Sequence, residues 1–137
     1  MKKVFLLVFS VFALVAFSLK ADAQQALKKT TANPTGAITN TGADTSSYTE
    51  LGLKLHKLVE FTVTVTRASG TLAGTATLYG SMDGVKYTLI DSLSISNAAS
   101  YTGTLYVQNK AFKYWRIITG GMTTVSATVA GTVAIFD

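Results

Sequence analysis

The chain has 137 residues, a formal net charge of +5 and no cysteine, so it has room for one domain whose core cannot depend on disulfide bonds. Charged residues make up only 14% of the chain, and no long basic cluster is present, which argues against a nucleic-acid-binding protein. The single histidine and seven acidic residues also argue against a metal centre or an acid–base catalytic site.

The first 23 residues have the three parts of a secretory signal. Met1-Lys2-Lys3 is basic, residues 4–19 are apolar apart from two serines, and Ala21-Asp22-Ala23 has the small-x-small pattern of a cleavage site. This predicts a signal peptide in helical form with cleavage before Gln24, and a secreted or cell-surface protein. The alternative is an uncleaved anchor, but the apolar run is shorter than the roughly 17–25 residues of a spanning helix. Without residues 1–23, which carry three lysines and one aspartate, the net charge falls to +3.

Residues 24–47 are small and polar and contain the only proline of the chain. They predict an extended N-terminal arm with a short strand at 37–39.

Residues 48–137 alternate between apolar and polar side chains, which predicts strands. All 21 threonines follow residue 23, and threonine packs well on a pleated surface that faces water. The clearest strand places Phe61 and Val63 inward, whereas His56, just before it, is expected to point to solvent. The turn-separated runs after it lie at 75–81, 85–91, 92–96, 101–107, 112–119 and 125–136. The run 85–91 is expected to place Val85, Tyr87 and Leu89 on the core side. The residues predicted to form the core are Phe61, Val63, Leu78, Leu89, Trp115, Val129 and Val133.

This pattern predicts an all-β fold, an antiparallel β-sandwich of seven to eight strands after the signal helix. Immunoglobulin-like and jelly-roll topologies both fit it. The domain would span residues 48–137.

The segment Ser81-Met82-Asp83-Gly84 lies between two of these runs. Ser81, Asp83 and Gly84 predict a hairpin turn, because aspartate and glycine tolerate the positive φ of tight turns. Asp83 is expected to accept hydrogen bonds from amides of its own loop. The alternative is a Ca²⁺ or sugar ligand, which needs several oxygen ligands that converge.

Two runs carry a resemblance to known proteins, GSMDGVKYTLI at 80–90 and FKYWRIITGGMTTVSATVAG at 112–131. They resemble a pattern in β-sandwich proteins of phage virions, of the decoration or fibre type. That pattern has a Gly-Ser-x-Asp-Gly-x-x-aromatic hairpin, a Tyr-x-Arg-Ile strand, a Gly-x-x-Thr loop and a final Val/Ala/Thr strand, and it covers about residues 58–137 here. The chain is also similar, more weakly, to the C-terminal half of discoidin-type domains, which bind carbohydrate or lipid.

No set of catalytic residues, cofactor motif or metal-ligand spacing is present in the sequence. The alternation instead predicts tyrosines on the outer faces of the sheets, where aromatic rings can stack on sugars or anchor a protein partner. The alternative is that these tyrosines only stabilise the strands. The predicted surface patch of aromatic and basic residues comprises Tyr79, Tyr106, Lys113, Tyr114 and Arg116.

These observations predict a non-enzymatic, exported structural or interaction protein, similar to a phage virion decoration or fibre module. The alternative is a carbohydrate-binding module at a bacterial surface, with a surface glycan as ligand; a small hydrolase is a third and weaker hypothesis. The final run, 125–136, is nearly uncharged and would invite strand pairing if it lay at a sheet edge. The expected partners are therefore further copies of the chain or a larger assembly, with the arm 24–47 contributing. No nucleic-acid partner and no cofactor are expected, and a membrane would be contacted only through the signal segment.

Overall fold

The computed structural model describes residues 24–39, 42–48, 55–122 and 125–136. The predicted signal peptide, residues 1–23, lies outside the described residues. The fold is all-β, with two five-stranded antiparallel sheets packed as a sandwich. The strands are β1 (Gln25–Ala26), β2 (Lys28–Lys29), β3 (Ala37–Thr39), β4 (Asp44–Tyr48), β5 (Leu58–Gly70), β6 (Gly74–Ser81), β7 (Thr88–Ile95), β8 (Ser100–Gln108), β9 (Tyr114–Gly120) and β10 (Val125–Phe136).

The described part of the chain thus holds ten strands, whereas the sequence predicts seven to eight. The strands that the sequence does not predict are β1, β2 and β4. The short strand expected at 37–39 is β3, and the runs 85–91 and 92–96 belong to one strand, β7. The two residues of β1 or β2 are too few to show an alternation pattern, and β4, with the sequence DTSSY, has no alternation of apolar residues. The first sheet has the order β1-β10-β5-β8, with β3 also paired to β10, and the second has the order β2-β4-β9-β6-β7.

The core lies between the two sheets and follows the predicted alternation over most of its extent. Phe61 of β5 and Trp115 of β9 belong to opposite sheets, and their ring centroids lie 5.3 Å apart. Trp115 also meets the ring of Phe112 edge-on. The predicted core residues that are confirmed as buried are Phe61, Val63, Leu78, Trp115, Val129 and Val133.

Leu89 was predicted in the core, and this prediction is wrong because its side chain is 59% exposed. The cause is a β-bulge in β7: Leu78 pairs with Asp91, but the next residue, Tyr79, pairs with Leu89. Ile90 is therefore an extra residue, and an extra residue reverses the alternation, so that Leu89 before it faces the opposite side from the one expected. Leu89 lies on the outer face beside Tyr79, and the predicted inward direction of Val85 is wrong as well, since it is 79% exposed.

His56 was predicted to point to solvent, and it is buried instead, with only 7% of its surface exposed. The neighbouring Leu55 is 60% exposed. Both residues precede β5, which begins at Leu58, so the alternation of that strand does not determine where they point.

The segment predicted as an arm is extended, and its described residues pair with both sheets. β1 and β3 lie along one edge of β10. Between them, Leu27 donates a backbone hydrogen bond to the carbonyl of Gly131, and Val129 donates one to the carbonyl of Gly36, each 2.8 Å long. Leu27 and Ile38 are buried in the core. The other edge of β10 pairs with β5, so the final strand is enclosed within the first sheet.

A polar cluster inside the sandwich fastens this N-terminal segment to the second sheet. The Nζ atom of Lys29 lies 2.5 Å from Oδ2 of Asp44 and donates a hydrogen bond of 2.7 Å to Oγ of Ser46. Asn33 donates from Nδ2 to the other carboxylate oxygen of Asp44, at 3.0 Å. The Asp44 side chain is fully buried. A buried carboxylate needs such partners, because its desolvation would otherwise oppose folding.

Candidate binding face on the second sheet

The outer face of the second sheet carries an arginine stacked on tyrosines. Arg116 of β9 pairs with Tyr79 of β6. Its guanidinium carbon lies 3.8 Å from the ring centroid of Tyr87 and 5.5 Å from that of Tyr79. A guanidinium over an aromatic face is attracted to the π electrons, by about 0.5–2 kcal/mol depending on exposure. The stack fixes the arginine in place instead of leaving it extended into water.

The arginine head group has unused hydrogen-bonding capacity. Its Nε is buried and has no hydrogen-bond partner among the described residues. A guanidinium has five N–H donors and suits carboxylate or phosphate groups, so this residue can still accept an anionic ligand.

Lys113 and Tyr114 extend the same face toward the β6–β7 loop. Nζ of Lys113 lies 5.3 Å from the ring centroid of Tyr114. The Tyr114 ring rests against Gly84, where an added Cβ would lie 3.4 Å from two ring carbons. The loop and strand β9 therefore support each other, and the loop conformation determines where Tyr114 lies.

The loop is held by its own hydrogen bonds. Oδ1 of Asp83 accepts from the backbone N–H groups of Val85 and Lys86, each at 2.8 Å, and from the hydroxyl of Ser81 at 3.0 Å. The Ser81 oxygen in turn accepts from the N–H of Gly84, which has a φ of 76°. The hydrogen bonds from Lys86 and then Val85 hold the pKa of Asp83 below its usual value. This carboxylate is used to shape the loop.

Apolar side chains are exposed around this loop. Met82 is 54% exposed and Val85 is 79% exposed, and Leu89 follows on the outer face of β7. Exposed apolar residues that cluster next to cations are typical of interaction surfaces. We use the name hairpin face for this surface, formed by Tyr79, Met82, Val85, Lys86, Tyr87, Leu89, Lys113, Tyr114 and Arg116.

Four of the five residues predicted as a surface patch come together on the hairpin face: Tyr79, Lys113, Tyr114 and Arg116. The fifth, Tyr106, is 56% exposed but lies on β8 of the first sheet, where it pairs with Glu60. Tyr106 therefore does not belong to this surface. The alternation indicates that a side chain points outward, but it does not assign the strand to a sheet.

The sequence analysis missed Tyr87, which stacks on Arg116. The alternation predicts that Tyr87 and Leu89 face the core. The bulge at Ile90 places Leu89 on the outer face, and Tyr87, which precedes β7, lies under the guanidinium of Arg116. A usable signal was present in the sequence, because Tyr87 occupies the aromatic position of the Gly-Ser-x-Asp-Gly-x-x-aromatic pattern.

The described residues contain no group of three or more His, Cys, Asp or Glu side chains placed to hold a metal ion. Among these residues there is also no helix with the length and apolar character needed to cross a bilayer.

No protein-family model matches the chain, and no curated protein matches it. Among solved structures, the PBSX exported protein XepA is similar with a TM-score of 0.56 and 11% identity, over 84% of this chain and 37% of that protein. The chain thus spans little more than a third of XepA. A Yersinia pseudotuberculosis-derived mitogen has a TM-score of 0.48 and 12% identity, over 84% of this chain and 86% of the mitogen. The N-terminal cellulose-binding domain of the Cellulomonas fimi β-1,4-glucanase C has a TM-score of 0.47 and 13% identity, over 82% and 87%. The likeness to XepA shows a shared fold and nothing about function.

Proposed function

We propose that this protein is an exported, non-enzymatic interaction module that attaches to a larger assembly, in the manner of a phage decoration or fibre protein. The attachment surface is the hairpin face. The observation that carries the proposal is the exposure of Met82, Val85 and Leu89 beside a fixed tyrosine–arginine stack. Export is supported by the N-terminal signal pattern.

The composition of the hairpin face indicates the kind of partner. Rigid aromatic rings and an arginine are the residues that contribute most binding free energy at protein interfaces. Lys86, Lys113 and Arg116 supply positive charge, whereas the nearby Asp83 already accepts three hydrogen bonds within its loop. The complementary surface is an apolar patch edged by carboxylates, because it would bury Leu89 and Val85 and pair with the three cations.

The first experiment asks whether the protein is part of extracellular particles. Extracellular material from the native host is separated on a density gradient, and the protein is detected with an antibody. We expect it to sediment with large particles and to remain in the light fractions when Val85 and Leu89 are both replaced by serine. The matched control is Phe136→Ser, which removes an exposed apolar side chain from the other sheet and should leave sedimentation unchanged.

Wild-type protein found only in the light fractions would contradict attachment to an assembly. Equal loss of sedimentation in the Phe136→Ser control would contradict the assignment to the hairpin face.

Carbohydrate binding is the second candidate function, and the three tyrosines on one outer face favour it. Tyrosine rings can stack on sugar rings. The guanidinium of Arg116 already lies over Tyr87 at 3.8 Å, which leaves less free aromatic surface for a sugar. A glycan array on the purified protein separates the two functions. Specific retention that is lost in Tyr79→Ala and Tyr114→Ala, but kept in Tyr106→Ala, would replace the assembly proposal with a carbohydrate-binding one.

A further inference from the structure

The edges of the two sheets are protected to different degrees. An unprotected edge strand presents free backbone N–H and C=O groups to other chains, and natural proteins usually block it with short strands, lysines or bulges. At one edge of the second sheet, β2 consists of two lysines. At the other edge, β7 has its bulge at Ile90 and an exposed Asp91. In the first sheet, β1 and β3 are short strands that cover β10.

Strand β8, the remaining edge of the first sheet, has none of these protections. Its nine residues, Ser100–Gln108, include no charged residue and no proline. It pairs with β5 in one uninterrupted register from Ser100 to Gln108. On its other side no strand from the described part of the chain is paired to it. This is a neutral edge without a bulge, and it is at least as long as an average strand.

We propose that the β8 edge is the self-association site, where the β8 strand of a second copy pairs antiparallel around a two-fold axis at Thr104. The inference rests on the proposed role in a larger assembly and assigns the contact between copies of the chain to a different surface from the hairpin face. The two first sheets then become one continuous sheet. In this register Thr104 lies opposite Thr104 of the second copy, and Tyr106 lies opposite its Thr102.

The chemistry of the edge suits a second copy of the chain. A two-fold contact brings each surface against itself, so a charged strand would place like charges opposite each other. The neutral β8 avoids this repulsion, and its outward Thr102, Thr104 and Tyr106 form threonine and aromatic cross-strand pairs, which are favourable. The hairpin face suits such a contact less well, because it would bring together two surfaces that each carry the positive charges of Lys86, Lys113 and Arg116.

The absence of cysteine allows a direct test by disulfide trapping. Opposed residues in an antiparallel pair have Cβ atoms about 4.5–5.5 Å apart, close to the distance that a disulfide requires. We expect Thr104→Cys to form a covalent dimer rapidly under mild oxidation. The control, Thr128→Cys, places an exposed cysteine on the same outer face but in the enclosed strand β10, and should dimerise much more slowly. Equal rates for the two variants would overturn the proposed edge.

Sedimentation equilibrium gives the second test. Thr104→Lys places two ammonium groups against each other in the dimer and should weaken self-association by about tenfold. Its control is Thr62→Lys, which puts the same charge on the cross-strand neighbour of Thr104 one strand further from the edge. If Thr104→Lys associates like wild type while the protein still sediments with particles, the edge inference fails and the proposed function stands. If wild-type protein stays monomeric at all concentrations, self-association at β8 is refuted.

Discussion

The central pair β5–β10 and the hairpin β6–β7 are both antiparallel and both contribute to the core, yet they differ in regularity. From Arg67↔Ala127 to Leu58↔Phe136 the central pair keeps one register. The hairpin shifts its register between Leu78 and Tyr79. The central pair places its apolar side chains inward at every second position, whereas the hairpin turns Leu89 outward.

The difference relates architecture to function. The regular pair is enclosed on both edges and on its inner face, and its side chains mainly exclude water. The bulged hairpin lies at a sheet edge, where one extra residue brings apolar and aromatic side chains to the surface. Bulges are common at sheet edges and near functional sites, where they redirect a side chain. The irregular strand therefore carries the candidate binding surface, and the regular strands carry the stability.

The largest expected effect is in the central pair. Phe61→Ala removes a fully buried ring that contacts Trp115 across the sandwich. The free energy of unfolding should fall by about 3–5 kcal/mol, from lost burial and the remaining cavity. Urea denaturation measures this loss. The neighbouring Thr62→Ala, on the outer face, should change it by less than about 0.5 kcal/mol, and a similar loss in both variants would contradict the burial contrast.

Two leucines of the hairpin provide the second test. Leu78 is fully buried and Leu89 is 59% exposed. Leu78→Ala should lower the free energy of unfolding by about 2–5 kcal/mol, whereas Leu89→Ala should change it by about 0.5 kcal/mol or less. Thermal or urea denaturation of the two variants measures both changes in the free energy of unfolding. A large loss for Leu89→Ala would mean that the bulge at Ile90 is absent and that the regular alternation extends through β7.

The third test concerns the enclosed edge of β10. Gly36 has a φ of 69°, and a Cβ there would lie 2.3 Å from the carbonyl oxygen of Val129. Gly36→Ala combines a left-handed backbone, which costs about 1–2 kcal/mol for an L-residue, with a steric clash. Gly121 has a φ of 73°, and an added Cβ there would meet a single neighbour at 3.9 Å, so Gly121→Ala has the backbone cost alone. Urea midpoints should fall further for Gly36→Ala, and equal midpoints would show that the N-terminal segment does not press against β10.

The smallest effect belongs to the turn of the hairpin. Because the folded-state pKa of Asp83 is lowered, its ionised form stabilises the fold above the ordinary carboxyl pKa, and this contribution is lost as the pH falls through the lowered value. Wild type should therefore be slightly more stable than Asp83→Asn at neutral pH, with the difference vanishing in acid. Urea midpoints across the acidic range test this. A difference in stability that increases on acidification would contradict the lowered pKa of Asp83.

The sequence predicts the two-sheet sandwich and most of its core, because alternation depends only on neighbouring residues in a strand. Phe61, Val63 and Trp115 are assigned correctly for this reason. Leu89 is not, since a one-residue bulge leaves no mark in composition. The pairing of strands is also not predictable from the alternation, which explains why Tyr106 was grouped with residues of the other sheet.

The N-terminal segment illustrates a second limit. Its small and polar residues resemble a loop, and its contribution to the fold depends on a few contacts with distant strands. Leu27 is buried over Gly131, and Lys29 pairs with Asp44 inside the sandwich. Such contacts leave no periodic pattern in the sequence. The sequence therefore predicts an extended arm at 24–47 but not that β1 and β3 enclose β10.

The pairing of β1 with β10 has a consequence for folding kinetics. Gln25 pairs with Val133, more than a hundred positions further along the chain, so the first sheet cannot be completed until its last strand is available. Sandwiches rich in such distant contacts fold on the order of milliseconds to seconds. During that interval the edge of β10 lacks its cover and can pair with another molecule. Refolding yield should therefore fall as protein concentration rises, even under conditions in which the native protein is stable.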